Sequence, residues 1–147
     1  MICVSDLKKS LLKAYENILK KTTIPTTEYI SAEIVQDILL PAIGFEKKEE
    51  WLRNKNISDN KERVNIVVKQ GENYVFYVES YSDKEISVSS IQQSVFSMRN
   101  MGIKYGILTN GLIYILVSSE IKTRSGKEPD GDEGIIFRFC LTDNKSK

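Results

Sequence analysis

Apolar residues recur at helical spacing in two segments near the start of the chain. The first segment begins at Ser5-Asp6 and runs to about Lys21, with its lysines on the opposite face. The second follows a connection at residues 22–27, ends shortly before Gly44, and has its apolar stripe at Ile30, Ile34, Ile38 and Leu39. These patterns predict two amphipathic helices, each covering part of a core.

Strand-like alternation begins at residues 63–81, which read RVNIVVKQGENYVFYVESY. The pattern predicts two strands joined by a tight turn at Gly71. If the loop consists of residues 71–73, Asn65 lies directly opposite Glu79 on one face of the hairpin. Residues 74–78 are almost continuously apolar, which is typical of a central strand that is covered on both faces.

The second half of the chain predicts one more helix and three more strands. The helix spans residues 89–100 and is closed by Gly102, and a strand follows at 104–109. Asn110-Gly111 is a strong hairpin signal that leads into a strand at 112–118, and the last strand lies at 134–141. Residues 120–134 predict a polar loop.

The segment from Lys47 to Glu62 has a different character, because it is densely charged and its main apolar residues are Trp51 and Leu52. It predicts an exposed loop or short helix held in place by Trp51. The resulting order of helices and strands describes an α/β (α+β) fold in which a mixed sheet is flanked by helices. We expect a single domain over residues 1–147, with an N-terminal helix at 5–21, a core at 28–118, and a C-terminal loop and strand at 119–141.

The amino-acid composition limits the kinds of functional site that the chain can contain. The chain has 147 residues with 21 basic and 20 acidic side chains, so any contact with nucleic acid must depend on a local patch and not on net charge. It contains no histidine, which excludes His-based zinc sites and Ser-His or Cys-His nucleophiles. No apolar run is long enough to span a membrane, and Cys3 and Cys140 lack metal-ligand spacing. We therefore expect a cytoplasmic protein with reduced thiols and no membrane partner.

Four segments within residues 28–117 carry a resemblance to a known family. In chain order they are a Glu-bearing helix that ends ILLPAIGF, then RVNIVV, then YVESY, and finally IQQSVFSMRNMGIKYGILTNGLIYIL. The chain resembles the N-terminal nuclease domain of the motor (R) subunit of type I restriction enzymes, which belongs to the PD-(D/E)xK superfamily and has the restriction-endonuclease-like fold. The stretch GIKYGILTNG after a Gln-bearing helix is the most specific part of the match.

The resemblance implies a magnesium-dependent site for phosphodiester hydrolysis. Position by position, Asn65 stands where the family has its metal-binding aspartate, Glu79 stands for the glutamate of the Glu-x-Lys motif, and Tyr81 stands for the lysine. Gln93, whose spacing to Gly102 fits better than that of Gln92, takes the place of the glutamine. A metal would be held by Glu79 and Asn65.

The resemblance also implies a supporting glutamate on the second helix. Glu33 takes this position, with Glu28 as the alternative.

Two of these positions depart from the family in ways that bear on catalysis. Asn65 offers a neutral carbonyl oxygen and removes one of the two negative charges that hold a divalent cation. Tyr81 cannot present a cation to a phosphate. We therefore expect no cleavage and no resident cofactor, with Mg²⁺ bound only if the site is active. A relocated lysine at Lys69, Lys84 or Lys104 would be the means of restoring activity.

Three hypotheses about function follow. In the first, the domain has lost nuclease activity and binds nucleic acid or a protein partner, within a restriction or DNA-processing system. In the second, it is an active Mg²⁺-dependent nuclease with a rearranged site formed by Glu33, Asn65 and Glu79. In the third, the former site is packed core, with Tyr81 filling the space of the lysine and metal. No motif specifies an oligomeric state.

Overall fold

A six-stranded mixed sheet forms the centre of the fold. The computed structural model describes residues 4–58, 61–120 and 134–142. Each strand pairs with its neighbour in the chain, and only β3 and β4 run parallel. The strands are β1 (Trp51–Ser58), β2 (Lys61–Gln70), β3 (Asn73–Ser80), β4 (Tyr105–Thr109), β5 (Ile113–Ser118) and β6 (Ile135–Cys140).

Three helical segments within the described residues flank this sheet. The first is α1 (Val4–Lys21). The second helix, residues 27–42, consists of α2 (Thr27–Tyr29), a π-helical stretch (Ile30–Leu39) and α3 (Leu40–Ala42). The third helix, α4 (Val88–Met101), connects the parallel strands β3 and β4. A short 3-10 turn (Lys48–Glu50) precedes β1.

Each end of α4 lies one residue beyond the predicted range of 89–100, and a capping interaction is present at both ends. At its start the Ser87 hydroxyl accepts a hydrogen bond from the backbone N–H of Ser90 at 3.1 Å, which satisfies one of the unpaired donors of the first turn. At its end Gly102 adopts a left-handed conformation with φ of 74°, which only glycine reaches without cost.

The two faces of the sheet are covered by different helices. On one face, Leu11 and Ile18 of α1 and Ile34 of the second helix pack with Ile66 and Val78 of the sheet. On the other face, the inner side of α4 packs on the opposite side chains of the same strands; this second core includes Val67, Tyr77, Ile91, Val95, Met98 and Leu108. The described residues thus form one α+β domain with the sheet between two helical layers.

The register of the central hairpin is as predicted, but its turn is not. Asn65 pairs with Glu79 across β2 and β3. The three-residue loop at 71–73 was the wrong prediction, because Gln70 already pairs with Asn73 and the turn is Gly71-Glu72. A β-bulge next to Val68 supplies the missing residue and restores the expected pairing.

The prediction of a loop or short helix at residues 47–62 was wrong. Half of this segment is β1, which pairs along its full length with β2 as an edge strand. Arg53 and Lys55 of β1 form ion pairs with Glu28 on the second helix, so charged side chains occupy the helix-covered face where apolar residues would normally alternate. Because these positions are charged, the strand lacks the alternation of apolar and polar residues by which it could be predicted.

Several remaining expectations can be compared with the described residues. The strand expected at 112–118 begins one residue later, at Ile113, and the last strand lies within the predicted range. Cys140 is a free thiol, whereas Cys3 and residues 121–133 of the loop predicted at 120–134 lie outside the described residues. Among the described helices, none is both long and apolar enough to cross a membrane.

Candidate functional site

A polar cavity of about 500 Å³ lies between α4 and the strands β1 to β3. Its sheet wall carries Asn54, Arg63, Asn65 and Glu79, and its helix wall carries Gln93 and Phe96. The sheet residues converge because side chains two positions apart in a strand point to the same face and because Asn65 pairs with Glu79. The helix residues converge because positions three apart lie on one side of a helix.

Glu79 is held by tyrosine hydroxyls. The Tyr77 hydroxyl, two residues earlier on the same face of β3, donates a hydrogen bond to Glu79 Oε1. Burial raises the pKa of the Glu79 carboxyl above its ordinary value, whereas the hydroxyls of Tyr77 and Tyr81 and the charge of Arg63 act in the opposite direction. The carboxylate is therefore partly desolvated and already engaged by phenolic donors.

Tyr81, which the resemblance sets at the position of a lysine, is fully buried. Its hydroxyl oxygen lies 2.7 Å from the hydroxyl oxygen of Ser94 on α4. Burial, followed by the charge of Glu79, raises the pKa of the Tyr81 phenol well above its ordinary value, so it stays neutral. The side chain fills the space beneath the cavity as a packed, hydrogen-bonded aromatic ring.

Arg63 supplies the cation at this site, and the sequence analysis missed it. Its guanidinium lies 4.3 Å from the centre of the Tyr81 ring, and its Nη1 donates to the Ser90 hydroxyl at 3.2 Å. Only 7% of Arg63 is exposed. The signal was present in the sequence, since Arg63 and Asn65 are two residues apart in a strand and must share a face.

Asn65 is 7% exposed, and its carbonyl oxygen already has a donor. Asn54 Nδ2 of β1 donates to Asn65 Oδ1 at 3.3 Å. In the described part of the chain, Asn65 Nδ2 donates no hydrogen bond. One of the two lone pairs of the oxygen that a metal would need is therefore already engaged, and the Nδ2 group of the amide is a donor that faces the cavity.

The donor set does not fit a resident Mg²⁺. Glu79 is the one carboxylate among the described residues that line the cavity, and the described residues contain no cluster of three acidic, Cys or His side chains suited to a metal. Mg²⁺ is a hard cation that favours anionic oxygens in octahedral geometry, often with retained waters. One tyrosine-bound carboxylate and one neutral amide oxygen do not provide such a set.

The structure does not bring the glutamates of the second helix to this cavity. Glu33 accepts a hydrogen bond from Lys21 Nζ at 2.7 Å, within the helical layer on the opposite face of the sheet. Glu28 pairs with Arg53 and with Lys55, the latter at 3.4 Å. Asn65, Glu79 and Gln93 therefore line one cavity, with Tyr81 buried beneath it, whereas Glu33 and Glu28 lie elsewhere.

The three candidate lysines also lie away from the cavity lining. Lys69 sits over the Tyr74 ring near the hairpin turn, 5.7 Å from its centre. Lys104 pairs with Glu120 at 3.4 Å. Lys84 lies in the connection after β3, where its backbone carbonyl accepts a hydrogen bond from Asn110. The nearby positive charge is instead Arg63.

The chain matches no protein-family model, no curated protein and no solved structure. The site must therefore be interpreted from its own geometry and from the motifs in the sequence.

Proposed function

We propose that the chain is a restriction-endonuclease-like domain, related to the nuclease domain of type I restriction motor subunits, that binds nucleic acid without cleaving it. One observation carries this proposal: the residue opposite Glu79 is an amide whose oxygen is held by Asn54, at the place where a nuclease needs a second carboxylate. The order of elements around it, a hairpin followed by a crossover helix and a parallel strand, is consistent with that fold.

The loss of activity follows from two missing interactions. Removal of a preorganised charge from a catalytic site costs about two to three decades of rate. Here the second metal-binding carboxylate is replaced by Asn65, and the family's lysine by buried Tyr81. Arg63 does not substitute for the lysine, because its guanidinium is stacked on Tyr81 and bonded to Ser90.

Binding of nucleic acid is supported by the walls of the cavity. Phe96 is 61% exposed at its rim, and an exposed aromatic ring beside amide and guanidinium groups is a typical surface for stacking and hydrogen bonding to bases. The second candidate is a protein partner, which is favoured by the almost equal numbers of basic and acidic residues, 21 and 20.

A nuclease assay tests the absence of cleavage. Plasmid, single-stranded DNA and RNA are incubated with Mg²⁺ or Mn²⁺ and the wild-type protein, beside the Glu79→Ala variant. We expect no metal-dependent product from either protein. Cleavage by the wild type that disappears in Glu79→Ala would refute the proposal and establish a working nuclease.

A binding assay on the same substrates tests the other half of the proposal. We expect a retarded complex with nucleic acid in the absence of any divalent metal. If none of the three substrates binds, the nucleic-acid proposal fails and a protein partner becomes the better explanation.

A further inference from the structure

The cavity beside Glu79 offers hydrogen-bond donors and acceptors at one end and an apolar rim at the other. Glu79 and Asn65, paired across β2 and β3, form the polar end. Phe96 and Met101 of α4 form the rim, where both are exposed. The cavity therefore has room and chemistry for a flat ligand with a polar edge.

The polar end has a defined hydrogen-bonding pattern. The Glu79 carboxylate is an acceptor that takes several hydrogen bonds, and the hydroxyls of Tyr77 and Tyr81 supply part of them. Asn65 is nine-tenths buried, and its Nδ2 is a donor with no acceptor among the described residues. A ligand that satisfies both groups must place N–H donors on the carboxylate and a carbonyl oxygen on the amide.

We propose that the cavity takes one unpaired nucleobase and prefers guanine. Guanine carries two adjacent N–H donors and one carbonyl oxygen on its Watson–Crick edge, which matches the carboxylate of Glu79 and the amide of Asn65. The exposed Phe96 ring supplies a stacking surface at the rim. This inference rests on the proposed nucleic-acid binding and names the form of nucleic acid that the site recognises.

The preference is for single strands because a paired base has no free Watson–Crick edge. In a duplex the edge of guanine is bonded to cytosine, and extrusion of the base costs a few kcal/mol. The groups that read the base lie between α4 and the sheet, where only a base turned out of the stack can reach them. Single-stranded DNA or RNA presents such a base without that cost.

The local charges predict a weak salt dependence. Arg63 and Glu79, the two ionisable residues with opposite charges in the described lining, largely offset one another. Few counterions are then released from the phosphate backbone on binding, so affinity depends more on the base than on the backbone.

The test uses fluorescently labelled oligothymidylates that carry one central dG, dA or dC, each as a single strand and as a duplex, with binding followed by fluorescence anisotropy. We expect the dG single strand to bind about tenfold more tightly than the dA or dC strand, which is the usual discrimination of one well-read base. We expect the duplexes to bind more weakly than the single strands.

Two variants identify the cavity as the binding site. Phe96→Ala, at an exposed position, should weaken binding of every single strand by about tenfold through loss of stacking. Glu79→Gln should remove the preference for dG and leave the contribution of Phe96 intact. The matched control is Phe137→Ala on β6, since Phe137 is also largely exposed, at 55%, and lies at the far edge of the sheet.

The outcomes separate this inference from the proposed function. If duplexes bind as well as single strands and Phe96→Ala has no effect, the base cavity is refuted while nucleic-acid binding stands. If single strands bind through Phe96 without a preference for dG, recognition of the guanine edge by Glu79 and Asn65 is refuted. If no oligonucleotide binds, both proposals fail.

Discussion

The residue that organises the cavity is Tyr81. It holds the Ser94 hydroxyl at 2.7 Å and supports the guanidinium of Arg63 on its ring. Arg63 in turn lowers the cost of burying Glu79. The aromatic ring, the serine and the arginine thus form one packed, hydrogen-bonded cluster beneath the cavity.

This arrangement predicts a measurable role for the Tyr81 hydroxyl in stability. Tyr81→Phe keeps the ring but removes the hydroxyl that interacts with the buried Ser94 hydroxyl and with the Glu79 carboxyl, which should lower the free energy of unfolding by about 1 to 2 kcal/mol. Urea denaturation measures the change. Tyr105→Phe is the matched control, because Tyr105 is exposed on β4 and should lose almost nothing. Equal stabilities of the two variants would contradict this account.

How much of the site could be predicted differs from residue to residue. The opposition of Asn65 and Glu79 follows from period-two alternation and a short turn, both of which are local properties of the sequence. The partners could not be predicted in the same way. Asn54 lies on β1, a strand that was not predicted because charged residues mask its alternating pattern. Ser90 and Ser94 reach the site only because α4 crosses back over the sheet.

Among the elements, the second helix was predicted correctly as a helix, but the apolar pattern did not predict its π-helical geometry. A stripe at Ile30, Ile34, Ile38 and Leu39 predicts a helix, and a helix forms. Residues 30–39 are π-helical, so each turn is wider than in an α-helix. Val35 is then fully buried, whereas Ile38 packs at the margin of the core. Spacing alone does not distinguish the two geometries.

In the central hairpin the predicted pairing of Asn65 with Glu79 is correct, but a two-residue turn and a bulge produce it in place of the three-residue loop. A two-residue turn alone would have moved the pairing by one residue, which would put Asn65 and Glu79 out of register. The bulge beside Val68 compensates for that shift. Bulges depend on the packing of side chains around the strand, so a sequence pattern does not reveal them reliably.

The turn after β4 is tied to the connection that follows β3 through the side chain of Asn110. The Asn110 amide donates to the carbonyls of Asp83 and Lys84, at 2.8 and 3.0 Å, and its Oδ1 accepts from the backbone of Leu112 and Ile113, at 3.0 and 2.8 Å. Asn110→Ala removes all four hydrogen bonds. With each bond worth about 0.5 to 1.5 kcal/mol, we expect a loss of about 2 to 6 kcal/mol in the free energy of unfolding.

Thermal and urea unfolding measure this loss, with Asn100→Ala as the control. Asn100 is exposed near the end of α4, so its replacement should change stability by less than about 0.5 kcal/mol. A loss for Asn110→Ala no larger than that of the control would show that the link between this turn and the β3 connection is not energetically important.

At the scale of the whole molecule, both core layers contain buried phenols. Burial is the largest cause of the raised pKa of Tyr77 and Tyr81 on the α4 side and of Tyr114 on the side of α1. Since each pKa in the folded state exceeds the ordinary value of 10.0, the unfolded chain releases these protons first as the pH rises. Their contribution to stability is complete below about pH 10 and is lost above it.

We therefore expect a steep loss of stability at alkaline pH. With three such tyrosines, the free energy of unfolding should fall above pH 10 by up to about 4 kcal/mol per pH unit. Urea denaturation at a series of pH values measures the slope. Tyr114→Phe removes one titrating group and should reduce the slope by about 1.4 kcal/mol per pH unit. An unchanged slope would refute the assignment.

The order of strands in the sheet has a consequence for how the protein is made. Every strand pairs with the one that precedes it in the chain, and α4 is the single crossover among the described strands. When a described strand leaves the ribosome, the strand with which it pairs has therefore already been synthesised. The sheet can therefore grow from β1 to β6 in the direction of translation, one strand at a time on the ribosome, with few long-range closures to delay it.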